Sequence, residues 1–228
     1  MITTILFDLD DTLLDFTKAE AIALHRALEE AGLPAGKDVL DRYHVINRRQ
    51  WELLEEGLLT REQVLVRRFQ LLFEELRVKA DPKAVCEQYE AYLAQGHWFV
   101  PGAPELLRVL APRYELYLAS NGASFVQRRR LESAGITGYF RGIFLSEEVG
   151  ADKPQRAFFE ACFASIPHFQ KETALMVGDS LTSDIRGGKN AGIRTCWFAP
   201  QGQPSRPDIC PDYRICALEE LPALLETL

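Results

Sequence analysis

The sequence predicts an α/β protein: a doubly wound, Rossmann-like parallel sheet with a helical segment inserted after the first strand. Three observations predict it. The opening run Thr3-Thr4-Ile5-Leu6-Phe7-Asp8-Leu9 is apolar and β-capable and breaks abruptly into acidic residues, as a buried strand ending in a polar crevice would. From about Phe16 to Gly96 only amphipathic helical stretches follow. After Pro101-Gly102 strand-like and helix-like runs alternate, which argues a parallel sheet covered by helices on both faces.

Each element has its own signal. In the helical stretch, Ala21, Leu24, His25, Leu28 and Ala31 recur at helical spacing and Gly32 suits the stop. Thr60-Arg61-Glu62-Gln63 fits a capping box, and Asp81-Pro82 fits an N-cap followed by proline in the first turn. About four helices fit there. Beyond Gly102 the expected order is a strand over 114–120, a helix near 124–134, a strand over 143–146 and a helix near 155–165. A strand over 175–177, a helix near 184–191 and a strand over 194–198 complete it. The simplest topology makes residues 1–15 and 99–228 one core and 16–98 an inserted helical cap. Pro200-Gln201-Gly202-Gln203-Pro204-Ser205-Arg206-Pro207 is a surface loop by composition.

Composition narrows the class of function. The 228 residues are 47% hydrophobic and 26% charged, ordinary for a globular protein and enough to bury a real core. A formal net charge of -7 with no long basic run argues against nucleic acid polymers and anionic membranes as partners. No apolar stretch is long enough to span a bilayer, and Met1-Ile2-Thr3-Thr4 lacks the charged flank of a signal peptide. The expectation is a soluble cytoplasmic protein, a monomer or homodimer. The scattered cysteines, Cys86, Cys162, Cys196, Cys210 and Cys216, suit reduced thiols better than a disulfide framework.

Parallel sheets bind ligands beyond the carboxyl ends of their strands. There the first strand delivers Asp8 and Asp10, the second Ser120 and Asn121, the region after the third Lys153, and the fourth Gly178-Asp179-Ser180 with Asp184 beyond. Each group alone is common turn or cap chemistry; convergence of all four on one sheet edge is not. Residues i and i+2 of an extended chain face the same side, so Asp8 and Asp10 can address one ligand. Several carboxylates in one crevice need a divalent cation, and an all-oxygen set suits Mg²⁺. Lys153 and the Ser120 hydroxyl offer the charge and hydrogen bonds a phosphoryl group needs. The chain has no Gly-x-x-x-x-Gly-Lys-Ser/Thr loop, no Gly-x-Gly-x-x-Gly and no Gly-x-Ser-x-Gly elbow, so nucleotide triphosphatase, dinucleotide oxidoreductase and serine hydrolase readings lack their groups.

Asp8-Leu9-Asp10-Asp11-Thr12, Ser120-Asn121, Lys153 and Gly178-Asp179-Ser180-x-x-x-Asp184 resemble the four ordered motifs of the haloacid dehalogenase superfamily. The helical insert resembles that superfamily's first-type cap, since the span from Asn121 to Lys153 is too short for the alternative position. More narrowly, Phe7-Asp8-Leu9-Asp10-Asp11-Thr12-Leu13-Leu14-Asp15-Phe16, Glu55-Glu56-Gly57 and Gly178-Asp179-Ser180-Leu181-Thr182-Ser183-Asp184-Ile185 resemble pyrimidine 5′-nucleotidases of the YjjG and YfnB type.

The resemblance implies a Mg²⁺-dependent phosphomonoesterase acting on a small soluble phosphate. It makes Asp8 the nucleophile, Asp10 the general acid and base, and Ser120 and Lys153 their catalytic partners. Phosphate oxygens fall to the Leu9 and Asn121 amides, Ser120 and Lys153. Asp8, the Asp10 carbonyl and Asp179 would bind the metal directly, with Asp184 supporting. An acid at position 10 argues against dehalogenation, which releases a halide that needs no proton. Phe16, His97 and Trp98, at the two crossings into the insert, are the candidates for reading substrate; His44, Trp51 and Phe99 are further aromatic candidates. Sugar-phosphate or phosphoglycolate phosphatases and phosphomutases would use the same core. A catalytically silent phosphate- or metal-binding protein is the alternative of another class, and it should lose Asp8 or Asp10, both of which are present.

Overall fold

The computed structural model describes residues 1–200 and 205–228. The chain divides into two compact units, Met1–Asp15 with Phe99–Leu228, and Phe16–Trp98. Strand β1 (Thr4–Phe7) is buried at every position. It is shorter than the run that predicts it, because the Leu13 and Leu14 amides both return to the Leu9 carbonyl and curl 9–14 into a tight loop. The second unit follows as α1 (Phe16–Glu30), α2 (Lys37–Glu55), α3 (Arg61–Leu76) and α4 (Pro82–Leu93). Thr60 and Gln63 form a reciprocal capping box on α3, and the Asp81 side chain accepts from the Lys83 amide at the start of α4, with Pro82 in its first turn. Tyr43, Phe69 and Tyr89 are fully buried in this unit, with ring centroids 5.1 to 5.7 Å apart. Trp51, on α2, donates its indole N–H to Asn47 at 3.1 Å under the Arg61 guanidinium, a packing role.

The chain then continues through α5 (Ala103–Leu110), β2 (Glu115–Ser120), α6 (Ser124–Ala134), β3 (Gly142–Leu145), α7 (Ser146–Val149), α8 (Arg156–Ser165), β4 (Ala174–Gly178), α9 (Arg186–Ala191), β5 (Arg194–Phe198), β6 (Tyr213–Ile215) and α10 (Leu221–Leu225). The strands form one sheet in the order β3-β2-β1-β4-β5-β6, with every pairing parallel. Alternate strand residues face opposite layers. Ile5, Phe7, Leu116, Leu118, Leu175 and Val177 pack with Leu106, Leu107 and Leu110 of α5 and Leu221 and Leu225 of α10. Leu6, Tyr117, Ala119 and Met176 pack instead with Phe158, Phe159 and Cys162 of α8. Burying a Leu or Phe side chain in such layers contributes about 1.5 to 3 kcal/mol.

Five elements differ from expectation. Helices α5, α7 and α10 and strand β6 are short, and their apolar residues span too few turns or pleats to show a period. The helix expected from Asp184 begins at Arg186. Leu181–Ile185 forms a wide turn instead, in which the Ser180 hydroxyl accepts from the Ser183 amide. Of the loop expected over 200–207, residues 201–204 lie outside the described residues; Ser205, Arg206 and Pro207 are exposed.

Candidate active site

Register brings the motifs together. Phe7 lies between Leu118 and Val177, so β1, β2 and β4 end within two residues of one another, and strand order reverses between β1 and β4, where doubly wound sheets open a crevice. Asp8 follows Phe7, Ser120 closes β2 and Asp179 follows Gly178.

Lys153 is the hub. Only 1% exposed, its ammonium donates to Asp8 Oδ1 at 2.7 Å, to Asp184 Oδ1 at 2.6 Å and to the Ala119 carbonyl at 2.6 Å, which uses all three N–H bonds. Burial opposes its charge, but Asp184 and Asp8 outweigh burial and hold the ammonium above its ordinary range. Asn121 fixes the backbone that carries it. Its Nδ2 donates to the Lys153 carbonyl at 2.9 Å, and its Oδ1 accepts from the Lys153 amide at 2.9 Å.

Asp184 reaches inward from the wide turn. Its Oδ2 accepts from the Ser180 amide at 3.0 Å. A Cβ on Gly178 would stand 2.2 Å from that oxygen, so only glycine admits the carboxylate here. Asp179 is held through its own backbone: its amide donates to the Thr12 hydroxyl at 3.1 Å, and its carbonyl accepts from the Trp197 indole at 2.8 Å. Carboxylate oxygens of Asp8, Asp179 and Asp184 lie within 4.8 Å of one another. Burial is the largest influence on Asp8; Lys153 lowers its pKa, Asp184 and Asp10 raise it, and the balance stands at about 7. Burial, then the charges of Asp8 and Asp184, push Asp179 well above the usual carboxylate range. Three hard oxygen donors in mutual repulsion fit a divalent cation such as Mg²⁺.

Asp10 turns elsewhere. Its Oδ2 accepts from Gln127 Nε2 at 2.6 Å and its Oδ1 pairs with the Arg130 guanidinium. The Ser120 hydroxyl accepts from the Gly122 amide at 3.1 Å and from Gln127 Nε2 at 2.9 Å, leaving its O–H to donate. Gln127, Arg130, Thr12 and Trp197 are site residues that sequence reasoning did not assign. Thr12 alone had a local signal, its place in Asp8-x-Asp10-x-Thr12. Leu9 is buried beside the site, and its carbonyl accepts the loop amides.

The candidates for reading substrate lie in the helical unit. Phe16 opens α1 and is partly buried, His97 is exposed with Nδ1 3.2 Å from the Gln95 carbonyl, and the Trp98 ring lies under the Lys18 ammonium at 5.3 Å. His44 pairs through Nδ1 with buried Glu20 at 2.6 Å, a contact inside that unit. Phe99 packs at the edge of the sheet's own core.

Comparison with known proteins bears on these arrangements. The chain is 42% identical to the HAD-hydrolase YfnB of Bacillus subtilis over 96% of its length and 93% of that protein's. A crystal structure of YfnB described as bound to magnesium superposes with a TM-score of 0.94, at 41% identity and 98% coverage of both chains. Pyrimidine 5′-nucleotidase PynA of Streptococcus pneumoniae is 38% identical (95% of this chain, 92% of its own), and pyrimidine 5′-nucleotidase YjjG of Escherichia coli 32% (97% and 96%). Residues 2–192, which carry every strand-end group from Asp8 to Asp184, match the haloacid dehalogenase-like hydrolase family. The chain belongs to that family of hydrolases.

Proposed function

We propose that the protein is a Mg²⁺-dependent phosphomonoesterase that works through an aspartyl-phosphate on Asp8 and prefers pyrimidine nucleoside 5′-monophosphates. One observation carries the reading: Lys153 bridges Asp8 and Asp184 while Asp179 lies within carboxylate reach of both. A nucleophilic carboxylate thus stands between a fixed ammonium and a set of oxygens fit for a cation. Asp8, Asp179 and Asp184, with the Asp10 carbonyl, would hold Mg²⁺, which supplies charge neutralisation of the carboxylates and of the phosphoryl oxygens.

In the first displacement an Asp8 oxygen bonds to phosphorus as the ester P–O bond breaks, and the leaving alkoxide takes a proton from the Asp10 carboxyl. In the second, water attacks the same phosphorus and gives a proton to Asp10. The P–O bond to Asp8 breaks and inorganic phosphate leaves. The Ser120 hydroxyl and the Leu9 and Asn121 main-chain amides hold phosphoryl oxygens, and Lys153, whose three N–H bonds go to Asp8, Asp184 and the Ala119 carbonyl, binds the phosphoryl group through its fixed charge; the Asn121 side chain is committed to the Lys153 backbone. The helical unit 16–98 serves as the cap, and Phe16, His97 and Trp98 offer aromatic surface for a nucleobase. The names of PynA and YjjG support the pyrimidine assignment.

A hydrolysis screen over phosphorylated metabolites tests it. Uridine, deoxyuridine and thymidine 5′-monophosphates should show higher kcat/KM than purine monophosphates or sugar phosphates, and excess chelator should stop all of them. Phosphoglycolate or a hexose phosphate outranking every pyrimidine monophosphate would overturn the nucleotidase assignment. Full turnover in chelator would overturn the metal.

A further inference from the structure

One turn of α6 faces the site with two buried polar side chains, Gln127, 1% exposed, and Arg130, 0% exposed. Residues three apart share a helix face, and here both reach the same carboxyl. Gln127 Nε2 donates to Asp10 Oδ2 at 2.6 Å and to Ser120 Oγ at 2.9 Å. The Arg130 guanidinium pairs with Asp10 Oδ1 and donates to Gln127 Oε1 at 3.0 Å. Gly122 is part of the arrangement, since a Cβ there would lie 2.1 Å from Gln127 Nε2. Burying a guanidinium is costly, and apolar side chains of similar volume often stabilise a fold as well as a buried ion pair does. A role at the site explains the pair better than stability does.

We propose that Gln127 and Arg130 are positioning residues that fix the Asp10 carboxyl, and through Gln127 couple it to Ser120. The inference rests on the reading of Asp10 as the proton-transferring group. That carboxyl must meet first the leaving oxygen and then the attacking water, and a side chain free about two torsions would be aligned for only part of the time. A donor on each oxygen removes that freedom, as alignment of a catalytic group requires.

Single-turnover release of the leaving group tests it, comparing thymidine 5′-monophosphate with 4-nitrophenyl phosphate, whose anion leaves without a proton. The variants are Gln127→Met, Arg130→Lys and Asp10→Asn, and Gln127→Met combined with Asp10→Asn, all with Mg²⁺ and each checked by thermal unfolding. Gln127→Met and Arg130→Lys should slow release of thymidine by about 10- to 100-fold with KM within about twofold, and slow 4-nitrophenol release by less than about threefold. In the Asp10→Asn background Gln127→Met should add less than about twofold, because the group it positions is gone. If Arg130→Lys does not fold, Gln127→Met and the double variant decide. Equal losses on both substrates, or full additivity with Asp10→Asn, would reduce the pair to a structural brace and overturn the inference while leaving the phosphatase reading intact. A wild-type protein that releases phosphate from neither substrate would overturn the phosphatase reading itself.

Discussion

Asp8 is a carboxyl that the fold keeps short of water. Burial and the neighbouring Asp184 and Asp10 raise it from 3.8 to about 7 against the pull of Lys153. Between those values the folded chain holds a proton that the unfolded chain has released, so stability in chelator falls as pH rises through the window. Asp8→Asn should flatten that slope in equilibrium unfolding at pH 5 and pH 7, keep the fold, and lower phosphate release about a thousandfold or more, since an amide cannot attack phosphorus. A folded Asp8→Asn protein with near wild-type turnover would contradict the covalent mechanism. At this scale the grouping was legible: Asp8, Asp10, Ser120, Lys153, Asp179 and Asp184 stand at or beyond strand-like runs, and the structure brings Asp8, Lys153, Asp179 and Asp184 together. Gln127 and Arg130 were not. They reach Asp10 from 117 and 120 residues away, and within Val126-Gln127-Arg128-Arg129-Arg130 nothing separates the buried arginine from its solvated neighbours. Trp197 was hidden likewise, since a tryptophan inside a strand reads as core, not as a donor to the Asp179 carbonyl.

Elements with a long period or a strong cap were the readable ones. The α6 boundaries coincide with those expected, and the capping box at Thr60 and the proline turn at Pro82 stand where their signals lie. Strand β6 was invisible because three residues carry no alternation and one polar side chain does much to hold them. Asp212 Oδ2 accepts from the Thr195 amide and hydroxyl at 2.8 Å each, its own amide donates to Thr195 Oγ1 at 3.1 Å, and Lys189 pairs with Oδ1. This clamp joins the start of β6 to β5 and anchors the sheet edge to α9. Asp212→Ala should therefore lower stability by about 1 to 3 kcal/mol, leaving Thr195 with unmet donors. Chemical denaturation of wild type and variant measures the loss; an unchanged midpoint would show that the edge is held by packing alone.

For the whole chain, the strongest external handle on the proposed function is the cation. A ligand that binds only the folded state adds about 2.7 kcal/mol at a hundred times its Kd, and for a chain of this size that corresponds to a rise in Tm of about 5 °C or more. Calorimetry with Mg²⁺ against chelator should show that rise, and Asp179→Ala should abolish most of it; identical Tm values in wild type would remove the cation from the site. The molecule as a whole is acidic, net -7, and among the described residues no helix is long and apolar enough to cross a membrane. Part of that acidity is gathered around the hub at Lys153. Three carboxylates, Asp8, Asp179 and Asp184, stand against one ammonium, so the ionised site has two negative charges and repels a phosphate dianion. A single divalent ion brings the balance to zero, whereas a monovalent ion leaves it negative. On the proposed function this balance would set a sequence of arrival: the cation first, and then the phosphate ester, into a site that has ceased to push it away.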